Sequence, residues 1–217
     1  MTRKRSVVTK EKLLAAASDV FLEKGYRDAT VAEICARAEA NIASINYHFG
    51  SKETLYQEAW RHSFAQSIKA HPQDGGVSEA APAEERLRGQ MTALIERIAD
   101  ENTKDFFISQ MEFVNPTGLL AEVMRSEFVP LREKTLAVVR ELLGPLATDR
   151  QVAYCETCII GMCLHPLLIQ RVRKRAKEED LPIVIDDLGT FAEHVTTFAL
   201  AGLAAVRDQA RQGEGHA

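Results

Sequence analysis

Residues 41–53, NIASINYHFGSKE, place the tightest constraint on what this chain can fold into. Ile42, Ile45 and Phe49 recur at helical spacing, which predicts a short helix with these three side chains in a core. The opposite face is small, polar and aromatic, and it has no carboxylate before Glu53. Its members are Ala43, Ser44, Asn46, Tyr47 and His48. Such a face suits the edges of base pairs and a row of phosphates.

The residues before this segment predict two further helices. Thr9 is placed to cap the first helix, and Gly25 is placed to end it in the left-handed region. Thr30 and Glu33 have the spacing of a capping box, which starts the second helix. Asn41 is the natural N-cap of the third. Two short helices separated by about three residues have helix-turn-helix spacing, and the second helix of such a pair enters the major groove.

Three ordered matches carry a family resemblance. FLEKGY at 21–26, TVAEI at 30–34 and INYHFGSKETLY at 45–56 resemble the DNA-binding domain of the TetR family of bacterial regulators, over residues 9–64. The resemblance implies contacts with the phosphate backbone or the groove from Thr30, Ser44, Tyr47, His48 and Lys52. It implies base contacts from Ala43, Ser44 and Asn46. We add the N-cap residue Asn41 to the predicted DNA-contacting set.

Two positions depart from the family pattern. Glu39 occupies a turn position where the family commonly has Gly, so we expect a turn of different shape with a negative charge near DNA. Asn46 replaces a common aromatic residue, so no base preference can be carried over. The chemistry of the Asn46 amide suits a bidentate pair with adenine N6 and N7.

The second half of the chain resembles the ligand-binding half of the CecR-like subgroup of that family. The matches are EFVNPT at 112–117, VPL at 129–131, LLG at 142–144 and HVTTFALAG at 194–202. The resemblance implies a homodimer, in which helices over about 148–178 and 187–209 pair with their twins in a four-helix bundle. The alternative is that these apolar helices are only intramolecular core.

Composition and the positions of helix-capping residues predict an all-α fold. The chain is 46% apolar, and Ala, Leu, Glu, Arg and Gln dominate its periodic segments. We predict an N-terminal three-helix helix-turn-helix DNA-binding domain over 1–50, a connecting helix over 51–70 that Ser51 caps, and a C-terminal helical ligand-binding and dimerisation domain over 83–217. The helices of that domain are predicted at 83–101, 103–114, 116–143, 148–178 and 187–209. Their predicted starts are Asn115 with Pro116, Thr148 with Gln151, and Asp186 with Asp187.

Charge is distributed unevenly along the chain. The net charge is −4, but residues 1–62 hold 10 Lys and Arg against 8 Asp and Glu, which leaves +2 there and −6 on the remainder. Arg3, Lys4 and Arg5 form either an arm that reaches DNA or a solvated tail.

The N-terminus resembles no signal peptide, and no stretch approaches the ~18–20 apolar residues of a membrane span. We therefore expect a cytoplasmic protein without a membrane partner.

An effector pocket is predicted in the body from Met and Phe residues, which make adaptable apolar walls. The predicted lining is Met91, Ile95, Phe107, Met111, Met124, Phe128, Met162 and His165. Each of these apolar residues has plain core as its alternative, since most apolar residues are buried anyway. Pro166 is expected to kink its helix beside this pocket. The predicted effector is a small apolar or amphipathic molecule, and no cofactor is expected.

Cys155, Cys158, Cys163 and His165 raise the question of a metal or redox site. Thiolates and imidazole are the usual zinc ligands. However, Cys155 and Cys163 lie about 12 Å apart along one helix axis, too far for a single ion. Buried core is the favoured interpretation, and metal or redox sensing is the alternative.

The combined pattern predicts a ligand-responsive DNA-binding regulator, with repression as the favoured action, that binds a palindromic operator as a homodimer. The alternative is an all-α small-molecule carrier or an enzyme whose N-terminal helices are structural. No phosphate loop, HExxH or GxSxG motif supports an enzyme. The outer face of residues 41–53, which has no carboxylate before Glu53, favours the regulator, since a carrier has no reason to keep such a face free of acid.

Overall fold

The computed structural model describes the backbone of residues 2–175 and 184–214, and the side chains of residues 7, 9–174 and 184–212. Within these ranges the chain forms helices and no strand, which confirms the all-α prediction. The helices are α1 (Thr2–Asp28), α2 (Val31–Arg37), α3 (Ile42–Phe49), α4 (Lys52–Ala70), α5 (Ala83–Ala99), α6 (Lys104–Val114), α7 (Ala121–Leu143), α8 (Asp149–Arg175) and α9 (Leu188–Glu214).

The chain divides into two compact units. Unit 1 comprises Met1–Ala70 and Glu101–Glu127, and unit 2 comprises His71–Asp100 and Phe128–Ala217. In unit 1, α6 packs against α1 and α4. In unit 2, α5 packs against α8 and α9. Helix α6 therefore shares a core with the three N-terminal helices and α4, although thirty residues of unit 2 separate them in the sequence.

The core of unit 1 forms around Trp60 of α4. Its ring is fully buried and stacks on Phe64 with 5.1 Å between centroids. Its indole N–H donates to Ser109 Oγ of α6 at 2.9 Å, so the one polar atom of the ring is satisfied inside the core. The Ser18 hydroxyl of α1 donates to the carbonyl of Ala59 at 3.1 Å. These contacts fix α1, α4 and α6 together.

Helix α1 differs from its prediction at its start, whereas the predicted break at Gly25 is present and has a positive φ. It begins at Thr2, so Thr9 lies inside the helix and the predicted cap is wrong. No Gly or Pro interrupts residues 2–8, so nothing in the chain stops the helix from extending. Gly25 breaks the helical path with φ 73° and ψ 175°, a conformation open essentially only to Gly. A Cβ atom there would also lie 3.2 Å from Met111 Cε.

The segment between α6 and α7 is organised by the buried carboxylate of Glu112. This carboxylate accepts from the N–H groups of Thr117 and Gly118, both at 2.9 Å, and from the Thr117 hydroxyl at 2.8 Å. Tyr56 of α4 also donates its hydroxyl to Glu112 at 3.4 Å. Burial, and then the Glu112 charge, raise the pKa of the Tyr56 phenol, which keeps it a donor.

This arrangement corrects the predicted helix start at Asn115 and Pro116. Asn115 is instead the C-cap of α6, and its side chain accepts from Arg27 Nη1 at 2.7 Å. Helix α7 begins only at Ala121. An Asn-Pro pair has the right chemistry to open a helix, but here Glu112 takes the N–H groups that such a helix would present.

Replacing Glu112 with Gln should destabilise the protein by about 2 kcal/mol, because the charged acceptor is lost and an NH2 group replaces Oε2, the oxygen that accepts from the Tyr56 and Thr117 hydroxyls. A fall in Tm of roughly 5 °C is expected by circular dichroism. Glu11→Gln, at an exposed carboxylate of α1, is the matched control and should change Tm little. Equal Tm values for both variants would show that the Glu112 hydrogen bonds contribute nothing net.

Unit 2 begins with a loop whose backbone lies directly on α5. A Cβ atom added to Gly89 would lie 2.5 Å from the carbonyl oxygen of Asp74, so only Gly permits this approach.

Two predicted helix starts are confirmed. Gln151 N–H donates to Thr148 Oγ1 at 3.2 Å before α8, and Thr190 N–H donates to Asp187 Oδ1 at 3.0 Å before α9. The predicted end of α8 at 178 lies outside the described residues.

Helix α8 is apolar over most of its length and continues through Pro166. Among the described residues, its segment Asp149–Lys174 has the length and composition of a helix able to cross a membrane. The prediction that no stretch approaches this composition is therefore wrong, because Cys and Met residues add to the apolar character of the window. One such helix is weak evidence, since helices that pack by an apolar face pass the same test.

Candidate nucleic-acid interface

Thr30 and Glu33 form the predicted capping box at the start of α2. Glu33 N–H donates to Thr30 Oγ1, and Thr30 N–H donates to Glu33 Oε2, both at 3.2 Å. Lys24 pairs with the same carboxylate. The Lys24 ammonium and the Thr30 hydroxyl hold the pKa of Glu33 below its usual range. Thr30 is exposed, as a DNA contact requires, but its hydroxyl is already committed to Glu33 at 2.9 Å.

The turn between α2 and α3 is closed by a hydrogen bond from Ala40 N–H to the Cys35 carbonyl at 2.9 Å. Glu39 within it has φ 53°, the only positive φ among the described residues other than Gly. This left-handed conformation is the one that Gly adopts without strain. The turn therefore keeps a glycine-type backbone, contrary to the expected change of shape. The Glu39 carboxylate lies 3.6 Å from Lys12 Nζ.

Replacing Glu39 with Gly should raise both stability and DNA affinity. The left-handed conformation costs about 1–2 kcal/mol for a non-Gly residue, and Gly loses ~0.5–1 kcal/mol of backbone entropy, so a net gain of ~0.5 kcal/mol is expected. Removing the carboxylate should strengthen DNA binding most at low salt. Glu39→Gln separates the effects, because it removes the charge and keeps the strained backbone. A lower Tm for Glu39→Gly would contradict the strain argument.

Helix α3 begins at its predicted cap. Asn41 Oδ1 accepts from the Ser44 N–H at 2.9 Å and from the Ser44 hydroxyl at 3.0 Å. Ile45 and Phe49 are buried as predicted, but Ile42 is 53% exposed, so its predicted burial is wrong. The helix is only eight residues long, and its single buried ridge, Ile45 with Phe49, begins one turn from its start.

The outer face of α3 is open to solvent. Ala43 and Asn46 are exposed, Tyr47 is 80% exposed, and Ser44 and His48 are half-buried. The rings of Tyr47 and His48 meet edge to face with 4.9 Å between centroids. The face therefore presents an amide, two hydroxyls and an imidazole side by side, without a carboxylate.

The start of α4 holds Lys52 beside α3. Ser51 caps the helix as predicted, accepting from Thr54 N–H at 3.1 Å. The Lys52 ammonium lies 4.4 Å from the centre of the Tyr26 ring, a cation–π distance. Tyr26 donates to Glu53 Oε1 at 2.9 Å, and burial together with that carboxylate raises the pKa of Tyr26 to about 12. No local sequence pattern links Tyr26 to the start of α4, so this group could not be predicted from the sequence.

Other cations of unit 1 are partly neutralised by carboxylates. Arg37 of α2 donates to both oxygens of Glu23, at 2.6 and 2.9 Å. Lys10 Nζ lies 3.0 Å from Glu58 Oε2. The predicted arm of Arg3, Lys4 and Arg5 lies on the α1 backbone, but its side chains are outside the described residues.

The residues predicted to line an effector pocket fall into both units. Phe107 and Met124 are buried in unit 1, and Met111 there is half-buried. Met91 and Ile95 are buried on α5 in unit 2, which also holds the half-buried Phe128. Met162 and His165 line an open apolar groove between α8 and α9. The predicted lining as a whole stays a prediction.

The cysteines of α8 are not gathered around one point. Cys163 is fully buried, and burial raises the pKa of its thiol to about 12. Cys155, Cys158 and His165 face the α8–α9 groove. Among the described residues, no group of three or more His, Cys, Asp or Glu side chains is arranged to hold a metal ion.

A capped helix, a tight turn and an open polar helix together define the helix-turn-helix class of DNA-binding proteins. Residues 13–59 match the family model described as "Bacterial regulatory proteins, tetR family", and residues 83–203 match "HTH-type transcriptional dual regulator CecR, C-terminal domain". The chain belongs to the TetR family of bacterial regulators and carries a C-terminal domain of the CecR type.

Individual relatives agree with this assignment. The chain is 30% identical to the HTH-type transcriptional dual regulator CecR of Shigella flexneri, over 71% of this chain and 74% of that protein. It is 37% identical to the HTH-type transcriptional regulator QacR of Staphylococcus aureus over 23% of this chain and 26% of that protein. The crystal structure of a TetR-like transcriptional regulator from Rhodococcus sp. RHA1 has a TM-score of 0.66 at 18% identity, covering 90% of this chain and 96% of that one.

Family membership settles the class of function. The chain is a DNA-binding transcriptional regulator, and the prediction that it is not an enzyme is confirmed, because the family consists of regulators.

Proposed function

We propose that the protein is a cytoplasmic, ligand-responsive repressor that binds a palindromic operator as a homodimer. The observation that carries the proposal is the open face of α3, on which Asn46 and Tyr47 are exposed. Both side chains are free to meet DNA, whereas a carrier would have no use for them at the surface. The capped start of α3 and the closed turn before it hold this face in place.

The exposed groups divide into two roles in this proposal. Tyr47, His48 and Lys52 offer hydroxyl, imidazole and ammonium donors to phosphates, which position a protein without reading sequence. Asn46 and Ala43 lie on the part of α3 that meets base edges. Asn41 already uses its carbonyl oxygen to cap α3, which leaves its amino group to donate to a phosphate.

The α8–α9 groove supports the dimer. It has a volume of about 690 Å³ and a lining that is almost wholly apolar, which includes Tyr154, Ile159, Met162, Phe198, Leu203 and Val206. Tyr154 and Phe198 are 64% and 66% exposed. Large exposed apolar surfaces mark interfaces, and closed two-fold pairs are the commonest assemblies. Gly161 and Gly202 in the lining allow two helices of a second copy to approach closely.

The effector in this proposal is a small apolar or amphipathic molecule, and no cofactor takes part. Such a ligand lowers operator affinity only as far as it binds the DNA-competent shape less tightly than the other shape. Unit 2 has buried Met and Ile residues on α5. Flexible Met side chains can adapt their packing to apolar ligands.

The proposal is tested by fluorescence anisotropy on the DNA upstream of the protein's own gene. We expect a complex that survives excess random duplex and weakens steeply as salt rises. Repeating the titration with candidate effectors should identify a compound that releases the DNA. Equal affinity for upstream and random duplex would contradict binding to a specific operator. No binding at low salt would contradict the proposed contact between α3 and DNA.

A further inference from the structure

Ile42 is the least expected side chain of α3. It is 53% exposed, whereas Ile45, three residues later, is 1% exposed. Single exposed apolar residues are common on protein surfaces, so exposure alone carries no conclusion. Ile42 differs from such residues in its position on the helix and in how firmly its backbone is held.

Ile42 lies at the amino end of the recognition helix, the part whose side chains meet base edges in helix-turn-helix proteins. The backbone there is fixed, because Asn41 Oδ1 accepts from both the N–H and the hydroxyl of Ser44. A branched side chain in a helix has one strongly preferred rotamer. Ile42 therefore presents an apolar surface of defined shape and position.

Such a surface selects among the four bases by chemistry. The major groove offers hydrogen-bonding groups at every base pair, and its one apolar group is the C5-methyl of thymine. Ile42 has no hydrogen-bonding atom, so placing it against another base would desolvate polar groups without a partner. We infer that Ile42 reads the methyl group of a thymine in each half-site, which rests on the proposed entry of α3 into the major groove.

Asn46 extends this reading to a second base pair. It lies four residues after Ile42 on the same helix face, about 6 Å further along the axis. Successive bases along a strand are about 3.4 Å apart, so the two side chains address base pairs within two steps of each other. The amide of Asn46 suits adenine. The half-site therefore contains two A·T pairs close together, one read through a thymine methyl and one through an adenine edge.

The test begins with duplexes that the full-length protein selects from a random pool. Each thymine of the selected site is then replaced in turn by uracil, which removes the methyl group and keeps the base pair. Wild-type protein, Ile42→Ala and Val114→Ala are compared on every duplex. Val114 is 86% exposed on α6 and supplies the matched loss of an exposed branched side chain. All three proteins are checked for equal helicity and Tm.

One thymine per half-site should matter. Its replacement should weaken binding of wild type and Val114→Ala by about fourfold per half-site, the loss expected for one buried methyl group. Ile42→Ala should bind thymine and uracil duplexes equally at that position. The inference is overturned if no uracil replacement affects wild type, or if Ile42→Ala remains as sensitive as wild type. In those cases the selected site itself still supports the proposed function. A pool that yields no selected site would contradict both the Ile42 inference and the proposed function.

Discussion

Replacing Phe198 with Glu is expected to dissociate the proposed dimer into monomers and to lower operator affinity by at least about 100-fold. Phe198 is 66% exposed in the apolar lining of the α8–α9 groove. A carboxylate buried there without a partner costs several kcal/mol, and each 1.4 kcal/mol is tenfold in an equilibrium constant. Multi-angle light scattering and operator titration measure the two effects.

The chain supplies a matched control for this substitution. Phe113 is 65% exposed, but it lies on α6 in unit 1 and not in the groove. Phe113→Glu should remain dimeric. Cys158, also in the groove, gives a second readout, because its alkylation should be slow in the dimer and fast in Phe198→Glu. A dimeric Phe198→Glu protein, or two variants that both dissociate, would show that the groove is not the interface.

Three substitutions on α3 and α4 should separate base reading from phosphate binding. Asn46→Ala should lose ~1–3 kcal/mol on the preferred operator and tolerate base changes at its position, because the bidentate pair is gone. Tyr47→Ala and Lys52→Ala should weaken binding about equally at all sequences. Lys52→Ala should also reduce the salt slope by about 1.

These variants are compared on the preferred operator and on single-base variants of it, at several salt concentrations. Lys69→Ala removes an exposed cation from the far end of α4 and should leave binding nearly unchanged. If Asn46→Ala weakens DNA binding equally at all sequences, Asn46 contacts the phosphate backbone of the DNA and not a base. Unchanged affinity in all three variants would mean that α3 does not face DNA.

Features set by neighbouring residues could be predicted from the sequence. The capping box at Thr30 and the caps at Asn41, Ser51 and Thr148 each depend on a side chain within three residues of its partner. The family resemblance rested on the same ordered stretches, and the matched family models agree with it.

Features set by distant partners could not be predicted. Asn-Pro at 115–116 has the local pattern of a helix start, but the Glu112 carboxylate and Arg27 hold these residues in a turn. Ile42 fits the spacing of a buried stripe, and only its place at the end of a short helix leaves it exposed. No local pattern indicates that α6 packs on α1 and α4, because Trp60 and Ser109 meet only in the folded chain.

The central proposal is that two copies of α3, one from each protomer, bind one DNA duplex at the same time. Sedimentation equilibrium of the protein with a selected operator, and with a duplex that keeps only one half-site, tests it most directly. We predict an even number of protomers on the full operator and binding to the half-site that is weaker by orders of magnitude. A single protomer that binds both duplexes with equal affinity would contradict it.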